Sequence, residues 1–205
     1  MAVHLQAEQL TVYRHSLAQA GWVLRPLPGV LKVAGADRVQ FIQRQSTNDV
    51  RKLTEERAID TVLTSSTARI LDVLTLIVDG ETILAATLPG YGSQTFRFLK
   101  SRIFFMDKVD LSDASTKYTQ IELAGPQAAG LLRQAGIAAA DELNAVRRTS
   151  LNGGEVTAVR RQSWRGEGYL LLADSAAAAP LIEALRAAGA AELDETTYQT
   201  LRIEA

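Results

Sequence analysis

The chain has 205 residues, 22 basic and 23 acidic side chains, two histidines and no cysteine. That length suits one large domain or two small ones with a sizeable core, and the balanced charge carries no direct nucleic-acid signal. Disulfides, thiolate metal sites and cysteine nucleophiles are excluded, and His4 and His15, both near the N-terminus, argue against a histidine metal centre or a Ser-His-Asp triad.

No apolar run reaches the roughly 18–20 residues of a membrane span, and no signal-peptide pattern opens the chain. The expectation is a soluble, cytoplasmic protein with no membrane partner. Residues 5–20 read as a surface helix with Leu10, Tyr13 and Leu17 at helical spacing. Arg25-Pro26-Leu27-Pro28-Gly29 breaks that pattern. Val30 to Val33 reads as a short strand, and Asp37 as the N-cap of a helix over roughly 37–46. Gln45 to Val50 is the polar end of that helix. Ala58 to Leu63 reads as a strand, and Ile70 to Val78 pairs with Thr82 to Thr87 across the Asp79-Gly80 turn. Gly90 to Arg102 is helical, with Phe96, Leu99 and Ile103 on one face. The Phe104-Phe105 and Met106 cluster reads as core.

The second half repeats this grammar. Tyr118 to Leu123 is a strand, Gly125-Pro126 opens a helix over Gln127 to Gln134, and Asn152-Gly153-Gly154 is a turn between strands. Val156 to Arg161 and Tyr169 to Ala173 are strands flanking a polar loop, Gln162 to Gly168. Ala176 to Ala188 is a helix with Pro180 near its first turn, and Asp194 to Ile203 is a last helix. No glycine or proline stop follows it, which reads as a fragment or a natural truncation. The fold class is α+β, with two subdomains at residues 1–112 and 113–205.

Two stretches are candidate sites on their residues alone. Asp72 interrupts the apolar strand Ile70 to Val78, as a solvent-facing aspartate or as a pocket carboxylate that burial and a specific partner would make useful. Arg161 to Gly168 carries Trp164 and a glutamate, Glu167, between glycines. It reads as a ligand loop in which tryptophan stacks and glutamate accepts two N–H donors, or as an ordinary hairpin.

Motifs in order along the chain carry a resemblance. They are Pro28 to Ile42 followed by Thr47-Asn48-Asp49-Val50; Leu123-Ala124-Gly125-Pro126-Gln127-Ala128; Arg165-Gly166-Glu167-Gly168-Tyr169; and Leu201-Arg202-Ile203-Glu204-Ala205. Together they resemble the aminomethyltransferase folate-binding family, which contains the glycine cleavage T-protein and the YgfZ-like proteins. The resemblance implies α/β subdomains with antiparallel sheets around a tetrahydrofolate channel, here without the family's C-terminal barrel domain. It assigns Glu167 to the pterin, Arg202 to the lining of the channel, Arg161 to the arginine that starts the family's glutamate loop, and Trp164 to a position in that loop that is usually tyrosine. Asn48 joins these as a binding candidate, and Asp72 falls on the first aspartate of the T-protein's Asp-Asp strand as the catalytic candidate.

Departures from the T-protein pattern favour the other branch. Val73 replaces the second aspartate, and Leu99 to Val109 is closer to YgfZ-like proteins. The implied function is a folate-binding, YgfZ-like protein acting in iron–sulfur enzyme maintenance or tRNA modification. The alternative is a folate-dependent aminomethyltransferase or methyltransferase of the T-protein type. The implied partners are folate and an iron–sulfur client protein, or a second copy covering an open channel.

Overall fold

The computed structural model describes residues 5–164 and 166–204. His4, Arg165 and Ala205, which enter the sequence reading, lie outside the described residues. In chain order the elements are α1 (Ala7–Ala18), β1 (Gly21–Leu24), β2 (Val30–Ala34), α2 (Arg38–Gln45), β3 (Ile59–Thr64), β4 (Ile70–Asp79), β5 (Thr82–Ala86) and α3 (Gly92–Lys100). There follow β6 (Asp110–Asp113), β7 (Tyr118–Ala124), α4 (Ala128–Gln134), β8 (Val146–Leu151), β9 (Gly154–Ser163), β10 (Gly166–Asp174), α5 (Ala178–Ala187), β11 (Ala191–Glu192) and α6 (Glu195–Ile203).

These elements form two compact units. One is continuous, Pro26–Tyr118; the other joins the N-terminal segment up to Arg25 to the segment from Thr119 onward. The sequence places a single boundary after residue 112. The structure instead returns residues 5–25 to the C-terminal half, because β1 pairs antiparallel with β7 and parallel with β11.

The continuous unit is a five-stranded antiparallel sheet ordered β3-β4-β5-β2-β6. The β4–β5 hairpin closes with Asp79 opposite Thr82, as the Asp-Gly signal predicts. Leu31, Val33, Leu74, Leu76, Ile83 and Ala85 build the core with Phe41 and Ile42 of α2 and Leu99 of α3. Phe96 and Ile103 pack at its margin, as their helical spacing predicts. Asp37 stands at the N-cap position of α2 but makes no side-chain cap. Its Oδ2 instead accepts from Lys108 N at 2.9 Å, tying the helix start to the segment before β6.

The split unit is a six-stranded sheet ordered β11-β1-β7-β10-β9-β8. Trp22, Ile121, Leu123, Tyr169 and Leu171 pack against α4 and α5 in one core. Val23 joins Leu193, Tyr198 and Leu201 in a second cluster, which Val12, Tyr13, Leu17 and Trp164 border. Trp22 and Val23 are consecutive on a strand, so their side chains serve opposite faces of the sheet. Between β8 and β9, Asn152 and Gly153 both have positive φ (49° and 83°), the geometry of a type I′ hairpin turn.

Two expectations are overturned here. The polar loop Gln162 to Gly168 is largely strand: β9 runs to Ser163, β10 begins at Gly166, and Glu167 pairs in register with Gln162. Glycines at 166 and 168 led the sequence reading to a loop, but a well-paired hairpin end accommodates both. The Phe104-Phe105-Met106 cluster is no core. Its side chains are 67, 97 and 74% exposed.

Candidate functional site

Asp72 sits at a β-bulge. Leu63 pairs with Asp72 and Thr64 with Ile70, so Leu71 is the extra residue. From there Asp72 shares strand parity with the core residues Leu74 and Leu76, and it is 1% exposed. The solvent-facing reading therefore falls. Every described bond to its carboxylate comes from its own unit. Oδ1 accepts from Val73 N at 2.8 Å and Leu88 N at 3.1 Å, and Oδ2 accepts from Thr95 Oγ1 at 2.5 Å. Burial pushes the carboxyl above its ordinary range, and the bonds from Thr95, Leu88 and Val73 pull it back. The group stitches β4 to the segment after β5 and to the first turn of α3.

Asn48 is exposed, in the turn after α2. Its Nδ2 donates to Asp60 O at 2.9 Å and its Oδ1 accepts from Asp49 N at 2.8 Å, while its own N donates to Thr61 Oγ1 at 3.0 Å. These bonds fasten the turn to β3.

The other four sequence candidates belong to the split unit. Glu167 is half-buried on β10. Its Oε2 accepts from Ala129 N at 3.1 Å, and its carbonyl accepts from Gly125 N at 2.9 Å. The side chain thus reaches toward α4, on the side of the first core. Trp164 directly follows β9 and packs against the second cluster, its ring edge-on to Tyr198 with centroids 5.7 Å apart at 73°. Arg161 is half-buried on β9, opposite Gly168. Arg202 is exposed on α6, its Nε donating to Gln199 Oε1 at 2.8 Å.

Trp164 and Arg202 share a neighbourhood that the sequence reading missed. Tyr198 is one helical turn before Arg202, and its hydroxyl donates to Glu122 Oε2 at 2.6 Å. Arg25, 8% exposed, places its guanidinium 4.6 Å from the Tyr198 ring. It also pairs with Glu122 at 3.5 Å and Glu195 at 3.3 Å. Arg25 Nε is too far from Glu122, or too poorly aimed, for a hydrogen bond. Buried Gln120 Oε1 on the adjacent strand and Trp164 Nε1 also have no hydrogen-bond partner among the described residues. The i, i+4 spacing of Tyr198 and Arg202 was a usable signal; nothing local points to Arg25, beside a proline break, or to Glu122, inside a strand.

Burial, and then the Glu122 carboxylate, hold the Tyr198 phenol well above the ordinary tyrosine range. A spectrophotometric alkaline titration is therefore expected to leave Tyr169 and Tyr198, both raised by burial, protonated after exposed tyrosines ionise, and Tyr198→Phe to remove one of the two. Because the native state holds the Tyr198 proton more tightly, this group lowers stability as pH rises above about 10. Among the described residues no group of three or more His, Cys, Asp or Glu could hold a metal ion, and no helix is long and apolar enough to cross a membrane.

The sequence pattern of the GCVT N-terminal domain family matches residues 28–205. The chain belongs to this family. Among curated relatives, a putative chloroplastic transferase of Arabidopsis thaliana is 26% identical over 177 residues, covering 85% of this chain and 41% of the relative. An aminomethyltransferase of Geobacillus kaustophilus is 31% identical over 169 residues, covering 79% of this chain and 45% of that protein. The chain therefore spans less than half the length of these relatives.

Solved structures share the GCVT N-terminal domain's α+β fold. The glycine cleavage system aminomethyltransferase T of Bartonella henselae superposes with a TM-score of 0.81 at 22% identity, over 96% of this chain and 54% of that one. A chain of the heterotetrameric sarcosine oxidase of Corynebacterium sp. U-96 superposes with a TM-score of 0.59 at 16% identity, over 91% of this chain and 95% of that one.

Proposed function

We propose that this GCVT N-terminal domain binds tetrahydrofolate, and that it does so as an accessory, YgfZ-like protein rather than as a transferase. Support for a folate site comes from the split unit's donor set. Among the described residues, buried Arg25 Nε (ion-paired with Glu122 at 3.5 Å), Trp164 Nε1 and Gln120 Oε1 have no hydrogen-bond partner beside the Trp164–Tyr198 aromatic pair. A pterin offers ring N–H and carbonyl groups of the matching kinds, and a flat face for stacking. In this reading Trp164 supplies the stacking face and Arg161 and Arg202 attract the ligand's carboxylates, while Glu167, whose side chain lies on the first-core face of the sheet, accepts N–H donors around the end of β10. When bound, the folate supplies the one-carbon acceptor or donor atom.

The observation that carries the accessory role is the state of Asp72. A carboxylate engaged by Val73 N, Leu88 N and Thr95 Oγ1 is built as a structural anchor. The finer assignment, to iron–sulfur enzyme maintenance or tRNA modification in the cytoplasm, rests on the likeness of Leu99 to Val109 to YgfZ-like proteins. A client protein or a second copy is the partner it calls for. One specific observation favours the other reading: 31% identity to an aminomethyltransferase. There Asp72 would be the catalytic carboxylate, assisting one-carbon transfer.

Calorimetric titration with tetrahydrofolate and 5-formyltetrahydrofolate tests the binding claim. The expected result is micromolar affinity, about −8 kcal/mol, weakened at least tenfold in Glu167→Ala. Absence of binding by the unaltered chain would sink the folate reading.

A further inference from the structure

The turn between α3 and β6 sets three large apolar side chains in water. Phe104, Phe105 and Met106 are 67, 97 and 74% exposed, while Ile103 before them and Val109 after them pack on the core. The turn is rigidly held. Asp107 N donates to Phe104 O at 3.0 Å and Phe104 N donates to Asp107 Oδ2 at 2.9 Å. Arg44 Nη2 donates to both oxygens of the Asp107 carboxylate at 2.8 Å. Phe105 and Met106 thus occupy the middle of a tight turn, where small or polar residues are usual.

The flanks of this tip are basic. Arg97, Lys100, Arg102 and Lys108 are all exposed; Asp107 is neutralised by Arg44, and Asp37, which accepts from Lys108 N, together with exposed Asp110 leaves the basic side chains in excess. The Arg102 guanidinium lies 4.5 Å from the Phe98 ring, which keeps it beside the tip.

We propose that this tip docks on an anionic bilayer surface. Phe104, Phe105 and Met106 enter the boundary between headgroups and acyl chains, and the four basic side chains lie among the phosphates. A protein partner fits less well. Stable interfaces bury roughly 800 Å² on each side around a core depleted of lysine, and three apolar residues crowded by charge offer no such core. A bilayer surface accepts this mixture, since aromatic rings favour the interface and long basic stems keep their charges in the headgroup layer. The cytoplasmic leaflet is the anionic one. The sequence-level expectation of no membrane partner rests on the absence of a span and does not bear on a surface contact. The proposal is independent of the folate reading: Asp72 bonds the first turn of α3, and the tip follows its last.

Vesicle flotation tests it, with phosphatidylcholine vesicles containing phosphatidylglycerol and with phosphatidylcholine alone. The unaltered chain should float with the anionic vesicles only, and added salt should release it. Phe105→Ser/Met106→Ser should cut the bound fraction about tenfold or more, and Lys100→Glu/Arg102→Glu similarly. Phe105→Ser/Met106→Ser should leave the thermal melt unchanged; Lys100→Glu/Arg102→Glu gives up the Arg102–Phe98 contact and puts acids at the end of α3, so its binding is measured below its lowered melting temperature. Failure to bind anionic vesicles, equal binding to neutral ones, or undiminished binding by either variant would overturn the proposal. So would a dimer in light scattering that Phe105→Ser/Met106→Ser dissolves, because a second copy would then be what covers the tip.

Discussion

Asp72→Ala is expected to destabilise the protein by about 2–4 kcal/mol, and Asp72→Asn by about 1 kcal/mol or less. The alanine variant strands Val73 N, Leu88 N and Thr95 Oγ1, three donors gathered on one carboxylate in a site only 1% exposed. Asparagine has the same shape. Its oxygen can accept from both backbone groups, and its amide can donate to Thr95 Oγ1, whose proton then turns elsewhere. Losing a buried carboxylate also removes a desolvation cost, which offsets part of the damage in both variants. Urea denaturation measures the difference.

The asparagine variant also separates the two functional readings, because it keeps the fold while abolishing the charge. A transferase that uses Asp72 would lose turnover with folate binding intact, whereas the accessory reading expects binding and stability to persist and no turnover in either protein. There is a pH signature as well. The native carboxyl binds its proton more tightly than the unfolded one, so Asp72 contributes stability at low pH that is lost as pH rises from the unfolded value toward the raised native one. Asp72→Asn should abolish that fall. Asp49, Asp107, Asp174 and Asp194 are shifted the opposite way and would remain, each losing stability on acidification.

Gly125→Ala is expected to cost about 3 kcal/mol or more. Gly125 has φ of 140°, and an added Cβ would stand 2.6 Å from both Ala20 Cα and Gln19 O, which are backbone and cannot turn aside. Gly125 N also donates to the carbonyl of Glu167, and Glu167 Oε2 accepts from Ala129 N just beyond. The strain therefore acts on the candidate folate ligand directly. Tetrahydrofolate affinity, measured at a temperature where the variant is folded, should weaken along with stability. Full stability in this variant would contradict the close approach of the two segments.

Much of this architecture is readable from local chemistry. Asp79-Gly80 marks its hairpin, Gly125-Pro126 marks the start of α4, and Phe96 and Leu99 mark the core-facing side of α3, with Ile103 packing just beyond its end. What escapes the sequence escapes for identifiable reasons. Gly21 to Leu24 lacks alternation because Gly21, Trp22 and Val23 are all buried, with Trp22 and Val23 serving opposite faces, so no period-2 pattern reveals β1. The bulge at Leu71 is a one-residue event that turns Ile70 out of phase with Asp72, Leu74 and Leu76, and no residue in the stretch announces it. Phe104, Phe105 and Met106 are apolar enough for a core, and only the Asp107–Arg44 clamp assigns them to a turn. The network of Arg25, Glu122 and Tyr198 joins residues far apart in the chain. No window of sequence contains it.

The pairing of β1 with β11 has a consequence during synthesis. About 170 residues separate Gly21 from its neighbour Ala191. At a ribosomal rate of roughly 5–20 residues per second, β1 waits on the order of ten seconds or more for that neighbour. Within that interval the whole of Pro26–Tyr118 is made, and its sheet needs nothing from outside that stretch. The nascent chain can thus complete an inner body first, with its own leading segment tethered and unfinished. Trp22 and Val23 are then the side chains that cellular chaperones would meet.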